Sequence, residues 1–433
     1  MDRKIQTSLI TKTLAVAITA AMASTVQAAS TEQQQIQELR QEVQALKALI
    51  QQQQQVQQQQ QVQIQQVQAQ PAPAAKSASP FSLKSKGGAE VNLYGFVRGD
   101  ANYIVEGADN DFNSVHTSTG AAKDKLRATP KTTRLGLDFS SPVGDRKVGG
   151  KVEVDFAGSN DALRIRHAYL TLDNWLLGQT TSNFLSNHAP EMIDFGTNVG
   201  GGTTRIPQVR YSHKLAPATQ LLVSAEEGNS SAQALKLNDD DELATAGSDV
   251  TYRLPVLTAK LTQGFAEGKG AASARALVEH YKAESGDDKT GWGVAAGVNY
   301  QVAEPLKVSA DVSYVQGNSN YLYGSNSAFY VNPENGDIEQ NEFTAFQVGA
   351  TYKFAPNLRS TLGYGAIFAD DGTDYAALNR SANEEVYQAW LNFIYSPVKP
   401  VDLGIEYING ERETFAGNKF KDNRFGLMAR YNF

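Results

Sequence analysis

From Val91 onward the chain alternates one residue at a time. Val91, Leu93, Gly95, Val97, Gly99 and Ala101 share one face of an extended segment, and Asn92, Tyr94, Phe96, Arg98, Asp100 and Asn102 share the other. The rhythm returns at Leu135, Leu137 and Phe139 against Arg134, Gly136 and Asp138. It returns again at Val148, Gly150, Val152, Val154 and Phe156 against Lys151, Glu153 and Asp155. Strands that are apolar on one face bury it in a second sheet or in lipid. After residue 30 no run approaches the roughly 18 apolar residues of a membrane helix. A chain that enters a bilayer without such a helix must close its strands into a barrel, because only a closed ladder leaves no bare N–H or C=O in hydrocarbon.

Three further signals favour the barrel. Connections alternate between short and long. The short ones are Pro142-Val143-Gly144-Asp145, Ala216-Pro217-Ala218, Pro255-Val256, Ala303-Glu304-Pro305, Ala355-Pro356-Asn357 and Pro397-Val398-Lys399-Pro400. The long ones fall near residues 104–131, 183–205, 229–246, 268–289, 318–341, 370–383 and 412–419, with a tight bend at Gly158 to Asp161. Aromatic residues gather at strand ends, among them Tyr300, Tyr352, Phe354, Phe368, Tyr395 and Tyr407. The chain closes on a strand in which Phe425, Leu427, Ala429, Tyr431 and Phe433 alternate with polar neighbours. The expected fold is all-β: a transmembrane antiparallel barrel of about 16 strands over residues 90–433, wide enough to hold water. A strand over Ala274 to Glu284 would make the number odd and put the chain ends on opposite sides, so that segment is assigned to an outer loop.

The first 28 residues read as a signal peptide. Arg3, Lys4 and Lys12 precede and flank a short apolar core, and Val26-Gln27-Ala28 is a small-residue cleavage site. The leader's three cations stand against Asp2, so its removal takes the net charge from −7 to −9. An exported acidic chain is a poor nucleic-acid binder. Residues 29–70 are Gln-rich, with Ile36, Leu39, Val43, Leu46 and Ile50 at heptad spacing, and predict an α-helical coiled coil in the periplasm. Pro71, Pro73 and Pro80 mark residues 71–89 as an extended linker.

Phase assigns Arg98, Arg134, Arg164, Arg166, Arg210, Arg253, Arg359, Arg424 and Arg430 to the lumen, with Lys151 and Lys260. Acidic residues concentrate in the outer loops, as in Asp239-Asp240-Asp241-Glu242, so an acidic chain can enclose a basic pore. Rings of Arg and Lys favour anions, and a guanidinium can grip a carboxylate with two parallel bonds. The bland alternative is that these arginines pair with Asp100, Asp138, Glu153, Asp155, Asp249 and Asp311 and stiffen the wall. The Gly-rich segment 183–205 is expected to fold inward and narrow the pore, setting Glu191 and Asp194 against the arginines. The acidic loops stay solvated or bridge divalent cations to lipopolysaccharide. No cofactor or metal site is assigned. His116, His167, His188, His213 and His280 have no metal-ligand spacing, and no nucleophile elbow is present, so the chain is not expected to be an enzyme.

The mature chain resembles the DcaP-like porins from the outer membranes of Acinetobacter-type bacteria. The Gln-rich heptad arm carries the likeness, together with Leu93-Tyr94-Gly95-Phe96-Val97-Arg98 and Arg164-Ile165-Arg166-His167-Ala168-Tyr169-Leu170. So do Leu176-Leu177-Gly178-Gln179 and the closing Ala429-Arg430-Tyr431-Asn432-Phe433. The resemblance implies a homotrimer with one channel per chain and a constriction loop after the fifth strand. It also implies uptake of small anionic solutes, dicarboxylic acids above all. The competing reading is a structural anchor or adhesin whose coiled coil reaches toward peptidoglycan.

Overall fold

The structure, a computed structural model, describes residues 82–84, 88–194, 196, 198–228, 230, 232–237, 243–246 and 250–433. The expected leader, the coiled coil, most of the linker, Asp249 and the acidic run 239–242 lie outside the described residues. Ser82–Lys84, within the expected linker, pairs back antiparallel on residues 90–92.

Among the described residues sixteen antiparallel strands form one closed sheet. In chain order the first eight are Glu90–Gly107, Ala122–Thr129 continued by Arg134–Val143, Arg146–Asp155, Arg164–Leu172, Trp175–Thr181, Arg205–Ala216, Thr219–Glu226 and Val256–Phe265. The second eight are Gly270–Ala283, Asp288–Ala303, Leu306–Gln316, Glu342–Ala355, Leu358–Ala369, Asn383–Val398, Val401–Thr414 and Lys419–Asn432. Each pairs with the next, and the sixteenth returns to the first from Phe96↔Asn432 to Glu106↔Asn423. Phe433 completes the seam by exchanging both backbone hydrogen bonds with Gly95, at 3.2 and 3.0 Å. The second strand is split at Pro130, which has no N–H to give the ladder.

The outward face is apolar and exposed, as at Val97, Leu137, Leu170, Val209, Leu257, Leu362, Ile405 and Leu427, while the inward rows are polar and buried. That is the reverse of a water-soluble domain and the pattern of a lipid-facing wall. Aromatic pairs flank the apolar band. Trp175 with Tyr211 and Tyr352 with Phe354 lie toward the rim of short turns, both at 4.9 Å between ring centroids. Trp292 with Tyr314, at 5.2 Å, lies toward the rim of long connections.

The strand number agrees with expectation, but three assignments do not. Residues 274–284 are not a loop: Gly270–Ala283 is the ninth strand, paired with both neighbours. Pro255-Val256 is not a turn either. Residues 227–255 form one long connection, and the chain turns instead at Ala266–Gly268. A strand placed before Pro255 and one missed after Gly270 cancel in the total. The cause is chemical. The outward residues of the ninth strand are Ala274, Ala276, Val278, His280 and Lys282, too weakly apolar to announce a lipid face, whereas Pro255 carries a strong turn signal. The expected loop at 104–131 also holds a strand, Ala122–Thr129.

Candidate functional site

The inward rows put many charged side chains inside the barrel. Left unpaired and unsolvated, each would cost several kcal/mol. Their partners are one another and a segment of chain that runs through the lumen.

Residues 182–204 leave the fifth strand and follow the inner wall. Lys260 Nζ donates to the Leu185 carbonyl (2.6 Å) and Arg275 Nη1 to that of Phe184 (3.3 Å). Ser186 Oγ donates to Asp311 (2.6 Å). Burial, with Arg275 and Lys260 beside it, holds the His188 imidazole down at about 4. The neutral ring then accepts from Asn299 Nδ2 at Nδ1 (3.1 Å) and donates from Nε2 to Ser273 Oγ (2.9 Å). Farther on, Glu191 takes both Arg359 donors (2.7 and 2.8 Å), and its carbonyl accepts from Trp390 Nε1 and Asn392 Nδ2, each at 3.1 Å. The backbone N–H groups of Ile193 and Asp194 donate to Glu406 (2.9 and 2.8 Å), and Arg98 Nη2 donates to the Ile193 carbonyl (2.5 Å).

The chain then doubles back. Asp194 lies within electrostatic reach of Arg424 but forms no ion pair with it among the described residues. Its carboxylate accepts from the backbone N–H groups of Asn113 (2.9 Å) and Gly196 (2.7 Å), and burial pushes its pKa up to about 6. Gln347 Nε2 donates to the Val199 carbonyl (2.8 Å), and Thr204 Oγ1 donates to that of Asn320 (2.6 Å). At its start Asn183 bonds to Glu226 and Ser224 of the seventh strand and touches Arg210 of the sixth, so the loop lines strands seven to sixteen and the first. Among the described residues, no hydrogen bond or ion pair joins residues 184–202 to strands two to six.

That uncovered wall holds a cluster of arginines: Arg134 on the second strand, Arg164 and Arg166 on the fourth, Arg205 and Arg210 on the sixth. Their carboxylate partners are Glu153 and Asp155 of the third strand. Arg166 takes Glu153 (2.7 Å) and Asp155 (3.1 Å), and Arg164 takes Asp155 (2.7 Å). Arg134 reaches Glu153 only at 3.4 Å and lies over the Phe96 ring, at 5.0 Å. Arg205 and Arg210 form no ion pair among the described residues, and Arg210 has only the Asn183 side-chain oxygen at 3.4 Å. The Nε–H groups of Arg134, Arg205 and Arg210 are buried without an acceptor. A β-bulge opposite Glu153 and Val154 turns Arg166 and His167 inward together, which plain alternation forbids.

The remaining predicted cations are mostly paired. Arg98 with Asp100 (2.6 Å), Arg359 with Glu191 (2.7 Å), Arg424 with Asp422 (2.8 Å), Arg430 with Asp402 (2.6 Å) and Lys151 with Asp138 (3.2 Å) stiffen the wall. Arg253 is not on the lumen wall. It is exposed in the connection 227–255, because the strand whose phase pointed it inward does not form there. Several inward arginines escaped the sequence reading, among them Arg275 and Arg205. Arg275 was hidden by the loop assignment, although its alternation with Ala274 and Ala276 was there to see. Arg205 is the first residue of its strand, where alternation gives no direction.

A family model described as the DcaP outer membrane protein matches residues 15–433. The crystal structure of the outer membrane channel DcaP of Acinetobacter baumannii is similar at 66% identity, with a TM-score of 0.76 over 81% of this chain and 99% of that one. OmpT, an outer membrane protein of Vibrio cholerae, shares the fold at 15% identity, with a TM-score of 0.53 over 81% of this chain and 99% of that one. An anion-selective porin from Comamonas acidovorans shares it at 12% identity, with a TM-score of 0.53 over 80% of this chain and 100% of that one. Comparison with the curated proteins gives no match.

Proposed function

The chain belongs to the DcaP outer membrane protein family, and from that membership we propose that this outer-membrane channel prefers small hydrophilic anions, dicarboxylates among them. In this reading the passage runs along the bare wall of strands two to six, between the arginine cluster and the inner edge of the 182–204 loop. The observation that carries it is the loose pairing of Arg134, Arg205 and Arg210, with Arg134 no nearer than 3.4 Å to Glu153 and Arg210 no nearer than 3.4 Å to Asn183. Guanidiniums whose charge the wall neutralises only in part attract a passing carboxylate and replace part of its hydration. Five arginines share Glu153, Asp155 and the more distant Glu226 there, so the local field stays positive although the chain as a whole is acidic. The proposed assembly is a homotrimer set in outer-membrane lipid and lipopolysaccharide, with one such passage per chain.

The test is the reversal potential of the reconstituted protein in a salt gradient. An anion-selective sign is expected, together with reduced chloride current when a short α,ω-dicarboxylate is added at concentrations where the matching monocarboxylate has no effect. A cation-selective sign overturns the proposal and leaves the channel intact.

Glu191 offers a second, smaller readout. Its ion pair with Arg359 is partly exposed, with the side chains 36% and 25% accessible. Such a pair is worth about 1 kcal/mol or less. The loop is held at this point chiefly by the Glu191 carbonyl, so Glu191→Gln should leave unitary conductance unchanged while shifting the reversal potential further toward anions. A large rise in conductance would instead make the ion pair the latch.

A further inference from the structure

We propose that the bore of the channel is set by the wall as much as by the loop, through four inward-facing glycines on which the loop rests: Gly297, Gly349, Gly365 and Gly404. The inference depends on the reading that segment 182–204 narrows the passage, but not on which ions pass.

Each of these glycines points into the lumen in the alternation of its strand, the tenth, twelfth, thirteenth and fifteenth respectively. At each, a loop atom occupies the place of the missing side chain. A Cβ on Gly349 would strike the Pro190 ring, and one on Gly404 would strike Ile193 Cδ1. A Cβ on Gly365 would strike the Val199 carbonyl, and one on Gly297 the His188 ring and the Asp311 carboxylate. None of the four adopts a left-handed backbone, so space and not φ demands glycine. Glycine inside a strand weakens it and marks a close approach of another chain segment. Other inward glycines are filled from the sheet itself, as Gly363 is by the Trp390 ring and Gly136 by the Tyr94 ring. At Gly349, Gly365 and Gly404 the nearest occupant is the loop itself, and at Gly297 the loop's His188 ring shares the place with the Asp311 carboxylate; the loop residues follow each other along its course.

The polar anchors alone would let the loop sit at several depths. Hydrogen bonds from Arg98, Gln347 and Arg359 fix it laterally, and the glycines fix how far it lies back. On the opposite wall the inward positions carry Arg134, Arg166, His167 and Arg210. The four gaps let the loop lie back against a wall that otherwise carries large side chains, and this leaves the open cross-section on the arginine side. Adding side-chain volume behind the loop pushes it toward that side and closes the passage.

The experiment compares single-channel conductance and the size limit for sugars in liposome swelling across Gly349→Ala, Gly404→Ala and Gly404→Val. Each should lower conductance, Gly404→Val to about half, since the barrel circumference is unchanged and only the loop moves. Trimming the occupant should restore it: Pro190→Ala in the Gly349→Ala background, Ile193→Ala in the Gly404→Val background. Gly99→Ala, on the outward face with nothing near it, should change nothing. Where Gly404→Val fails to assemble, Gly404→Ala with and without Ile193→Ala is read instead. Assembled glycine variants with unaltered conductance and size limit overturn the proposal, as does a loss that trimming the loop does not restore. Its failure is separable from that of the anion reading, which is decided by the sign of the reversal potential in the unmodified protein.

Discussion

Replacing Arg134, Arg205 and Arg210 together by glutamine should lower the anion-over-cation permeability ratio by about tenfold. A unit charge within about 4 Å of a passing ion contributes about 1 kcal/mol in water, and less once salt screens it. Three such charges at about 0.5 kcal/mol each reach the 1.4 kcal/mol that corresponds to a factor of ten. These three are chosen because they are loosely paired. Arg166 and Arg164 hold Glu153 and Asp155 at 2.7 Å, so the carboxylates keep their partners when the three are removed. Removing a tight pair as a unit is the control. Arg430→Gln with Asp402→Asn leaves the net charge alone, and the ratio should not move. Reversal potentials in a salt gradient measure both. A triple variant as anion-selective as the parent would show that the cluster is structural and that selectivity arises elsewhere in the lumen.

The cluster was only partly legible in the sequence, and the reasons are local. Arg98 and Arg210 were readable because each stands mid-strand beside an outward valine, and Arg134 because Leu135, Leu137 and Phe139 follow it in phase. Arg166 and His167 both face inward because of a bulge, and a bulge leaves no mark in a binary pattern. Arg205 follows directly on a long loop, where no neighbour sets the phase. Arg253 was misread through a proline that resembles a turn but stands just before the eighth strand. The loop's inward course was suggested by its length and its glycines. The means by which it is held were not, since Glu406, Gln347 and the four wall glycines lie 145 or more residues from the loop atoms they meet, apart from Gly297 at about 109. Short-range periodicity reports faces of strands, and says nothing of which distant segment comes to rest on them.

Arg275 gives the largest expected effect on stability. Its guanidinium and the Asp311 carboxylate meet at 2.7 Å with side chains only 1% and 3% exposed. Lys260 does not stand in for it, because its ammonium is bonded to the Leu185 carbonyl and Asn187. Arg275→Leu therefore leaves Asp311 buried with a single hydroxyl donor, Ser186. Removing one partner of a buried ion pair costs about 3–5 kcal/mol, whereas replacing both by apolar residues is close to neutral. Denaturant unfolding in detergent micelles, followed by tryptophan emission, should show that loss for Arg275→Leu and most of it regained in Arg275→Leu with Asp311→Leu. The double variant still loses the Ser186 bond, worth about 1 kcal/mol, and with it one tether of the loop. Its channels should be as stable as the parent to within that amount, yet noisier in the open state, because among the described residues the segment from Phe184 to His188 keeps only Lys260, Ser273 and Asn299 as polar tethers to the wall. A single variant as stable as the parent would mean that water reaches Asp311 freely, and that the ninth strand carries its arginine into open lumen.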